Sequence, residues 1–442
     1  MACSLKSDWL AKRLGPTSAI ARWRSSPFAR NAGRVFAGGI AVQAITIAVA
    51  PINTRLYGPE VLGVVAEFSA LAGVMSAGLA FRYDSALAIP QEQADAENLL
   101  RVAWWLTFAM FGICFVSVIL LRDVAGVLAR IGGLVWLLPV AALVATLNLI
   151  SQNWAIRRDE FRIVVQSRLV TAVVTALFGV GAALGLGGDG RWLMVAAVLG
   201  AACGGVRLLT ALVRLGQWPL LAVNRKWLPL GLGVAREFRQ FPMFTLPMSV
   251  FDLATQSAPI WVLSGFFSPS VAGNFVVASS TLRLPAAAVG GAIAQVFFPK
   301  AARLVGNPRE LYRLMWRISG VMAACGICLI LASALLGPWA FALVFGRKWV
   351  LAGEYSFWIA CMVGCNLITV PLATLPALLH CQPMHLLFAV GSFTMRLAAL
   401  AAGVLLGSAA YAVVLYCCVE AVGSLLFCCW IFLRVRALPG DL

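Results

Sequence analysis

Apolar stretches of roughly twenty residues, separated by short clusters of charge or by Gly and Pro, recur from residue 33 to residue 433. A helix needs about 20 such residues to cross the hydrocarbon core of a bilayer. Twelve stretches qualify: 33–53, 61–81, 100–121, 132–153, 163–186, 192–213, 241–265, 270–298, 318–337, 352–375, 385–406 and 409–433. The segment from Gly337 to Trp349 is expected to form an interfacial turn, with Trp339 and Trp349 as anchors at headgroup level.

Composition agrees with an all-α integral membrane protein. Hydrophobic residues make up 62% of the 442 and charged residues 12%, against about 45–50% and about 25% in soluble domains. The formal net charge of +17 points to nucleic acid, an anionic lipid surface or an anionic ligand. Nucleic acid is excluded, because the chain has no zinc-finger spacing, basic helix or aromatic RNA-binding signature. Most of the twelve Cys sit inside apolar runs. Even Cys325-Gly-Ile-Cys328 has no His, Asp or Glu beside it, so the thiols read as small hydrophobes and no metal or cofactor is expected. Residues 1–32 lack the apolar core of a signal peptide and read as a basic cytosolic tail.

The distribution of Lys and Arg orients the spans. One set of loops carries only Arg55, Arg122, Arg130, Arg191, Arg347 and Lys348. Arg168, Arg283 and Arg396 lie within spans, and the remaining 25 of the 34 fall on the other side. Basic residues stay in the cytosol, so both termini are expected there. No outer loop is long enough for a folded periplasmic domain, which counts against a membrane glycosyltransferase or polymerase.

The chain also repeats. Residues 56–70 and 266–280 each end one span and open the next. At an offset of 210, Pro59 matches Pro269, Val61 matches Val271, Gly63 matches Gly273 and Ser69 matches Ser279. In each copy a Pro starts the returning helix and a Gly one turn later permits close contact. Both copies lie on the outer face, so the repeat is parallel. It predicts two six-helix lobes, 33–213 and 241–433, with a substrate path between them. Residues 214–240 become a basic cytosolic linker, with Trp218 and Trp227 at the interface if a surface helix forms there. Residues 434–442 form a cytosolic end.

At these residues the chain resembles a known family. Arg55-Leu-Tyr-Gly-Pro-Glu60 with Gly63 resembles the first outer loop of polysaccharide-export proteins in the multidrug/oligosaccharidyl-lipid/polysaccharide exporter superfamily. Phe81-Arg-Tyr-Asp-Ser-Ala-Leu-Ala-Ile-Pro90 resembles the end of their second span. Arg283-Leu-Pro285 through Gly290, Gly291 and Gln295 to Phe297-Phe-Pro-Lys300 resembles their eighth. Ala342-Leu-Val-Phe-Gly346 with Trp349 resembles the connection from ninth to tenth. Asp84 stands where the family more often has Glu. The O-antigen (Wzx-type) flippase branch matches best. The resemblance implies a V-shaped bundle like that of MATE exporters and lipid flippases. It also implies an undecaprenyl-diphosphate-linked oligosaccharide as cargo, moved by alternating access to the periplasmic leaflet of the inner membrane for O-antigen or exopolysaccharide synthesis. The expected partners are that lipid-linked oligosaccharide, membrane lipids, and a polymerase or other assembly proteins, around a monomeric transporter that is not an enzyme. A MATE-like drug exporter is the alternative, and a membrane enzyme of polysaccharide assembly a more distant one.

Ionisable side chains at bilayer depth mark functional positions. Arg283 is the leading candidate for a diphosphate headgroup, because guanidinium offers fixed charge and bidentate donors. Its other reading is an ion pair with Asp252. Arg207 and Arg168 either draw the headgroup in from the cytosolic side or snorkel to the interface. Asp252 and Glu67 are candidate coupling acids or structural partners. Arg396 and Glu420, also near the midplane, are candidates for coupling or for pairing with each other. Pro242, Pro247, Pro259 and Pro285 break the helices around Asp252 and Arg283, as helices lining a cavity tolerate. Gln43, Asn148, Gln152, Asn153 and Gln256 are candidates for sugar contact, with interhelical hydrogen bonding as the other reading.

Overall fold

The computed structural model describes residues 27–122, 126–216, 218, 227–304, 306–379 and 381–437. The basic tail before Pro27, linker residues 219–226 and the last five residues lie outside this description. Twelve long helices account for nearly all of it: α1 (Pro27–Leu56), α2 (Pro59–Leu79), α3 (Gln93–Leu121), α4 (Leu137–Arg157), α5 (Phe161–Leu186), α6 (Gly190–Arg214), α7 (Leu246–Phe266), α8 (Pro269–Leu304), α9 (Pro308–Phe345), α10 (Val350–Leu372), α11 (Gln382–Leu405) and α12 (Ala409–Arg436). Among the described residues, eleven helices are long and apolar enough to cross a membrane. The remaining one, α7, contains Asp252, Gln256 and Pro259 and follows a π-helical turn, Phe241–Thr245. Pro242 and Pro247 remove backbone donors there, which disturbs the regular α-helical ladder.

Local sequence explains the helix ends. Pro occupies the first turn of α2 and α9, where its missing N–H costs nothing. Gly187 closes α5 in the left-handed conformation. Three expectations need correction. α1 starts at Pro27, within the stretch assigned to the tail. α9 does not stop at Leu336: it runs through Gly337 and Pro338 to Phe345, so 337–345 is helix and not an interfacial turn. Gly337 seats this continuation against α10, because a side chain there would meet the Gly353 carbonyl. Trp349 is no headgroup anchor either. It is fully buried, and its indole N–H donates to the Thr54 carbonyl at 2.8 Å. Trp339, by contrast, is exposed.

Helices α1–α6 pack mainly on one another, through the α5–α6, α1–α5 and α2–α4 contacts. The α5–α6 contact is close because Gly200 and Gly204 of α6 face Thr175 and Thr171 of α5, leaving no room for a Cβ. Helices α8–α12 form a second group, centred on α10. A linker helix, Trp227–Glu237, lies along α3. There Val234 and Ala235 are buried, and the Tyr83 hydroxyl donates to the Ala235 carbonyl at 3.1 Å. Trp218 is buried with its ring edge-on to Trp104, which corrects its assignment to the interface, while the side chain of Trp227 lies outside the described part.

Candidate functional site

The two groups of helices meet chiefly where α2 crosses α7 and α8 and where α1 meets α9. At the α2–α8 crossing the repeat closes on itself. A Cβ on Gly63 would lie 1.8 Å from the Pro269 carbonyl oxygen, and a Cβ on Gly273 would lie 1.9 Å from that of Pro59. Each Gly of one copy therefore receives the Pro carbonyl of the other, the reciprocity expected of a two-fold relation. Polar clasps flank this seam. Arg55 donates to the carbonyls of Leu343 and Val344 at 2.8 and 3.2 Å, capping the C-terminal end of α9 where a cation is favoured. Arg130, after α3, pairs at 3.0 Å with the fully buried Glu67 of α2 and lies close to Gly265 at the end of α7. All these contacts lie at the face predicted to be outer.

Between α1, α4, α5 and α6 is a cavity of about 510 Å³. One turn after another of α1 contributes Val42, Thr46, Val49 and Asn53, and α5 contributes Arg168, Thr171 and Thr175. Spacings of i, i+4, i+7, i+11 and of i, i+3, i+7 each put side chains on one helix face. Arg168 donates through Nε and Nη2 to the Gln152 carbonyl oxygen at 3.1 and 2.9 Å. Asn148 donates to the Ala201 carbonyl at 2.8 Å. Arg207 is exposed and donates to Gln166 at 2.7 Å.

A second cavity, of about 670 Å³, lies between α10, α11 and α12. Its walls are largely apolar, with Leu387, Phe388, Val422 and Phe427 among them, and Arg396 stands at its polar end. There Arg396 and the buried Glu420 form an ion pair, as expected from sequence. The Asn366 amide donates to Glu420 at 3.1 Å, and the Ser424 hydroxyl donates to the Asn366 carbonyl oxygen at 3.1 Å. Arg283 of α8 is within electrostatic reach of Tyr416 and Cys417 of α12. It is exposed and makes no hydrogen bond or ion pair among the described residues. The pair between Arg283 and Asp252 is not formed. Asp252 instead accepts a long hydrogen bond, 3.4 Å, from Gln256 one turn further along α7. A carboxylate on an exposed helix face meets the amide four residues on more readily than a residue of a neighbouring helix.

The sequence-predicted residues thus fall into separate places. Arg168, Gln152 and Asn148 converge on the α1/α4/α5/α6 cavity, whereas Arg396 and Glu420 meet in the other half. Gln43 is half-buried on α1 with its amide nitrogen unpaired. Asn153 donates to the Asp84 carbonyl at 3.0 Å and is an interhelical tie. Sequence reasoning missed Asn53, Asn366 and the Arg130–Glu67 pair. Asn366 carried a signal, an amide about two-thirds of the way through an otherwise apolar span. Arg130 carried none, because a loop residue does not reveal which helix it folds back upon. Cys325 and Cys328 are free and exposed on α9. Among the described residues no cluster of three or more His, Cys, Asp or Glu is placed to hold a metal.

Asp84 lies in the connection between α2 and α3, where Phe81 and Arg82 take left-handed conformations to turn the chain. Burial pushes its carboxyl above the ordinary carboxylate range, against opposing pulls from Arg82 at 3.8 Å and the Ser85 hydroxyl at 3.2 Å. A carboxyl with a higher pKa folded than unfolded binds its proton more tightly in the native state. Its contribution is fully present below the unfolded value of 3.8 and is lost as pH rises through the folded value. Asp84→Asn is therefore expected to remove this slope. Thermal midpoints of the parent protein should fall relative to the variant as pH rises above 3.8, and parallel profiles would refute the assignment.

Eleven apolar helices of spanning length, packed in two groups that meet at a reciprocal seam, define a multi-pass membrane protein of transporter architecture. The family described as polysaccharide biosynthesis protein matches residues 52–353, and the chain belongs to it. The chain is 25% identical over 409 residues to the succinoglycan biosynthesis transport protein ExoT of Rhizobium meliloti (strain 1021), covering 88% of this chain and 76% of that one. Its fold is similar to that of the lipid II flippase MurJ in an inward closed conformation, with a TM-score of 0.72 at 8% identity over 91% of this chain and 88% of that one. It is also similar to an inward-facing multidrug resistance MATE family transporter of the MOP superfamily, with a TM-score of 0.60 at 12% identity over 89% and 95% of the two chains.

Proposed function

We propose that this protein is a flippase of the bacterial inner membrane. It carries an undecaprenyl-diphosphate-linked oligosaccharide from the cytosolic to the periplasmic leaflet, for the synthesis of a surface polysaccharide. The lobes 33–213 and 241–433 alternate access around a cationic path, with both termini in the cytosol. Arg283 is the principal ligand of the diphosphate, and Arg207 and Arg168 lie on its way in from the cytosolic side. Asp252, exposed on α7, is the candidate coupling acid.

The observation that carries this reading is Arg283, about halfway along α8, which has no ion pair or hydrogen bond among the described residues. A guanidinium at bilayer depth with neither ion pair nor hydrogen bond is too costly to face lipid, so it faces water or an anion. The close seam at Gly63 and Gly273 fits a state sealed on the periplasmic side and entered from the cytosol. The transport role in succinoglycan biosynthesis that its relative's name carries supports a saccharide cargo. A cation exporter of the same fold would instead need an acidic path.

Arg283→Ala is expected to lower translocation of the lipid-linked saccharide at least tenfold, while Arg283→Lys, which keeps the charge but loses the bidentate fork, retains part of it. Leaflet accessibility of the cargo in vesicles, compared at equal protein levels, reads the effect. Full activity of the Ala variant would refute the assignment.

A further inference from the structure

We infer that the cavity between α1, α4, α5 and α6 is the subsite for the sugar portion of the cargo, held by Asn53, Gln152 and Arg168. This rests on the flippase reading and adds to it the place and chemistry of saccharide recognition. The volume, about 510 Å³, falls within the roughly 300–1,000 Å³ of small-molecule sites.

Its wall is unusual for a membrane helix bundle, because polar groups are left unused. The Asn53 amide nitrogen makes no hydrogen bond among the described residues, and its carbonyl oxygen is buried without a partner. Arg168 commits Nε and Nη2 to the Gln152 carbonyl oxygen, which leaves Nη1 and the Gln152 amide nitrogen as donors. Unsatisfied polar groups at this depth carry a penalty that a hydroxylated ligand relieves.

The mixture of groups selects the ligand class. The lining holds no carboxylate, and Arg168 repels a cation. Donors and acceptors stand together, as a sugar hydroxyl requires, since it both gives and receives a hydrogen bond. Between them Val42, Ile45, Val49 and Ala172 offer apolar surface for the C–H face of a pyranose. No aromatic ring lines the cavity, so recognition rests on hydroxyl edges and discriminates by hydrogen bonding. The α10/α11/α12 cavity, walled by Leu387, Phe388, Val422 and Phe427, is the more apolar of the two, and its Arg396 is already paired with Glu420.

The test uses the full-length protein in detergent with four probes: farnesyl diphosphate and its glucosyl, galactosyl and glucuronosyl esters. At least one glycosylated probe is expected to bind about tenfold more tightly than bare farnesyl diphosphate. Asn53→Leu, nearly the same shape, and Asn53→Ala should each remove most of that gain and leave affinity for the bare diphosphate unchanged. If no glycosylated probe gains, or if the gain survives both substitutions, the inference is overturned. Asn53→Leu removes no intramolecular hydrogen bond among the described residues, so misfolding does not confuse the outcome. Loss of bare-diphosphate binding in Arg283→Ala tests the headgroup assignment separately, so the two readings can fail independently.

Discussion

Gly63→Val is expected to abolish transport and to lower the thermal midpoint by many degrees, whereas Gly73→Val on the same helix is expected to do neither. The two positions differ only in what they face. A Cβ at residue 63 would lie 1.8 Å from the Pro269 carbonyl oxygen and 2.6 Å from its carbon, while one at residue 73 meets nothing within 4 Å. The obstacle is backbone, which cannot turn aside as a side chain would. Relief requires α2 and α8 to separate, which opens the flanking Arg130–Glu67 and Arg55 clasps. Overpacking of this kind costs about 1–3 kcal/mol in a soluble core and more where backbone is struck. Moving a two-state equilibrium from 99:1 to 1:99 takes about 5.5 kcal/mol, so loss of the sealed state requires a clash above the ordinary overpacking range, as a strike on backbone provides. Gly273→Val should act alike, because Pro59 stands against it at 1.9 Å. Once the seam has opened the second substitution meets no obstacle, so the double variant should be little worse than either single one. Normal transport and stability in Gly63→Val would mean that the seam is not closed in the working protein.

That seam also marks how far the sequence can be read. Pro59 with Gly63 and Pro269 with Gly273 were legible as a repeat, because a helix start and a close approach each need one particular residue type. Their mutual contact was not legible, since equivalence within a repeat does not say that the copies touch. The same limit separates the charges. Arg396 and Glu420 could be paired in advance, because both lie near the middle of adjacent spans and hydrocarbon offers neither another partner. Arg283 and Asp252 met the same description and do not pair. Asp252 found Gln256 on its own helix, and Arg283 stayed exposed. Depth along a helix is readable from spacing, but the direction in which the residue faces depends on packing. Trp349 failed for a related reason. An aromatic at the end of a span suits both the interface and a tight core, and only the Thr54 carbonyl beyond it decided between them.

Glu420→Ala is expected to destabilise the protein by about 3–5 kcal/mol, the range found when one partner of a buried ion pair is removed. Glu420 is buried, and the Arg396 side chain is only 24% exposed, so the freed guanidinium has little water to turn to. The loss spreads, because Asn366 donates to Glu420 and accepts from Ser424, and both bonds hold α10 against α12. Replacing both charges, as Arg396→Met with Glu420→Met, should recover most of the stability, since the desolvation of two ions disappears together with their attraction. Glu420→Gln separates structure from coupling. It keeps an acceptor for Asn366 and abolishes the charge, so a structural role predicts an intermediate loss of stability with transport preserved wherever the protein stays folded. A fully stable Glu420→Gln that no longer transports would make Glu420 a proton-coupling carboxyl and would end its reading as a tie between helices. Thermal unfolding of the four proteins beside a vesicle transport assay distinguishes these cases. The structural reading is favoured because Glu420 already has the two partners that would otherwise have to be supplied on each transport cycle.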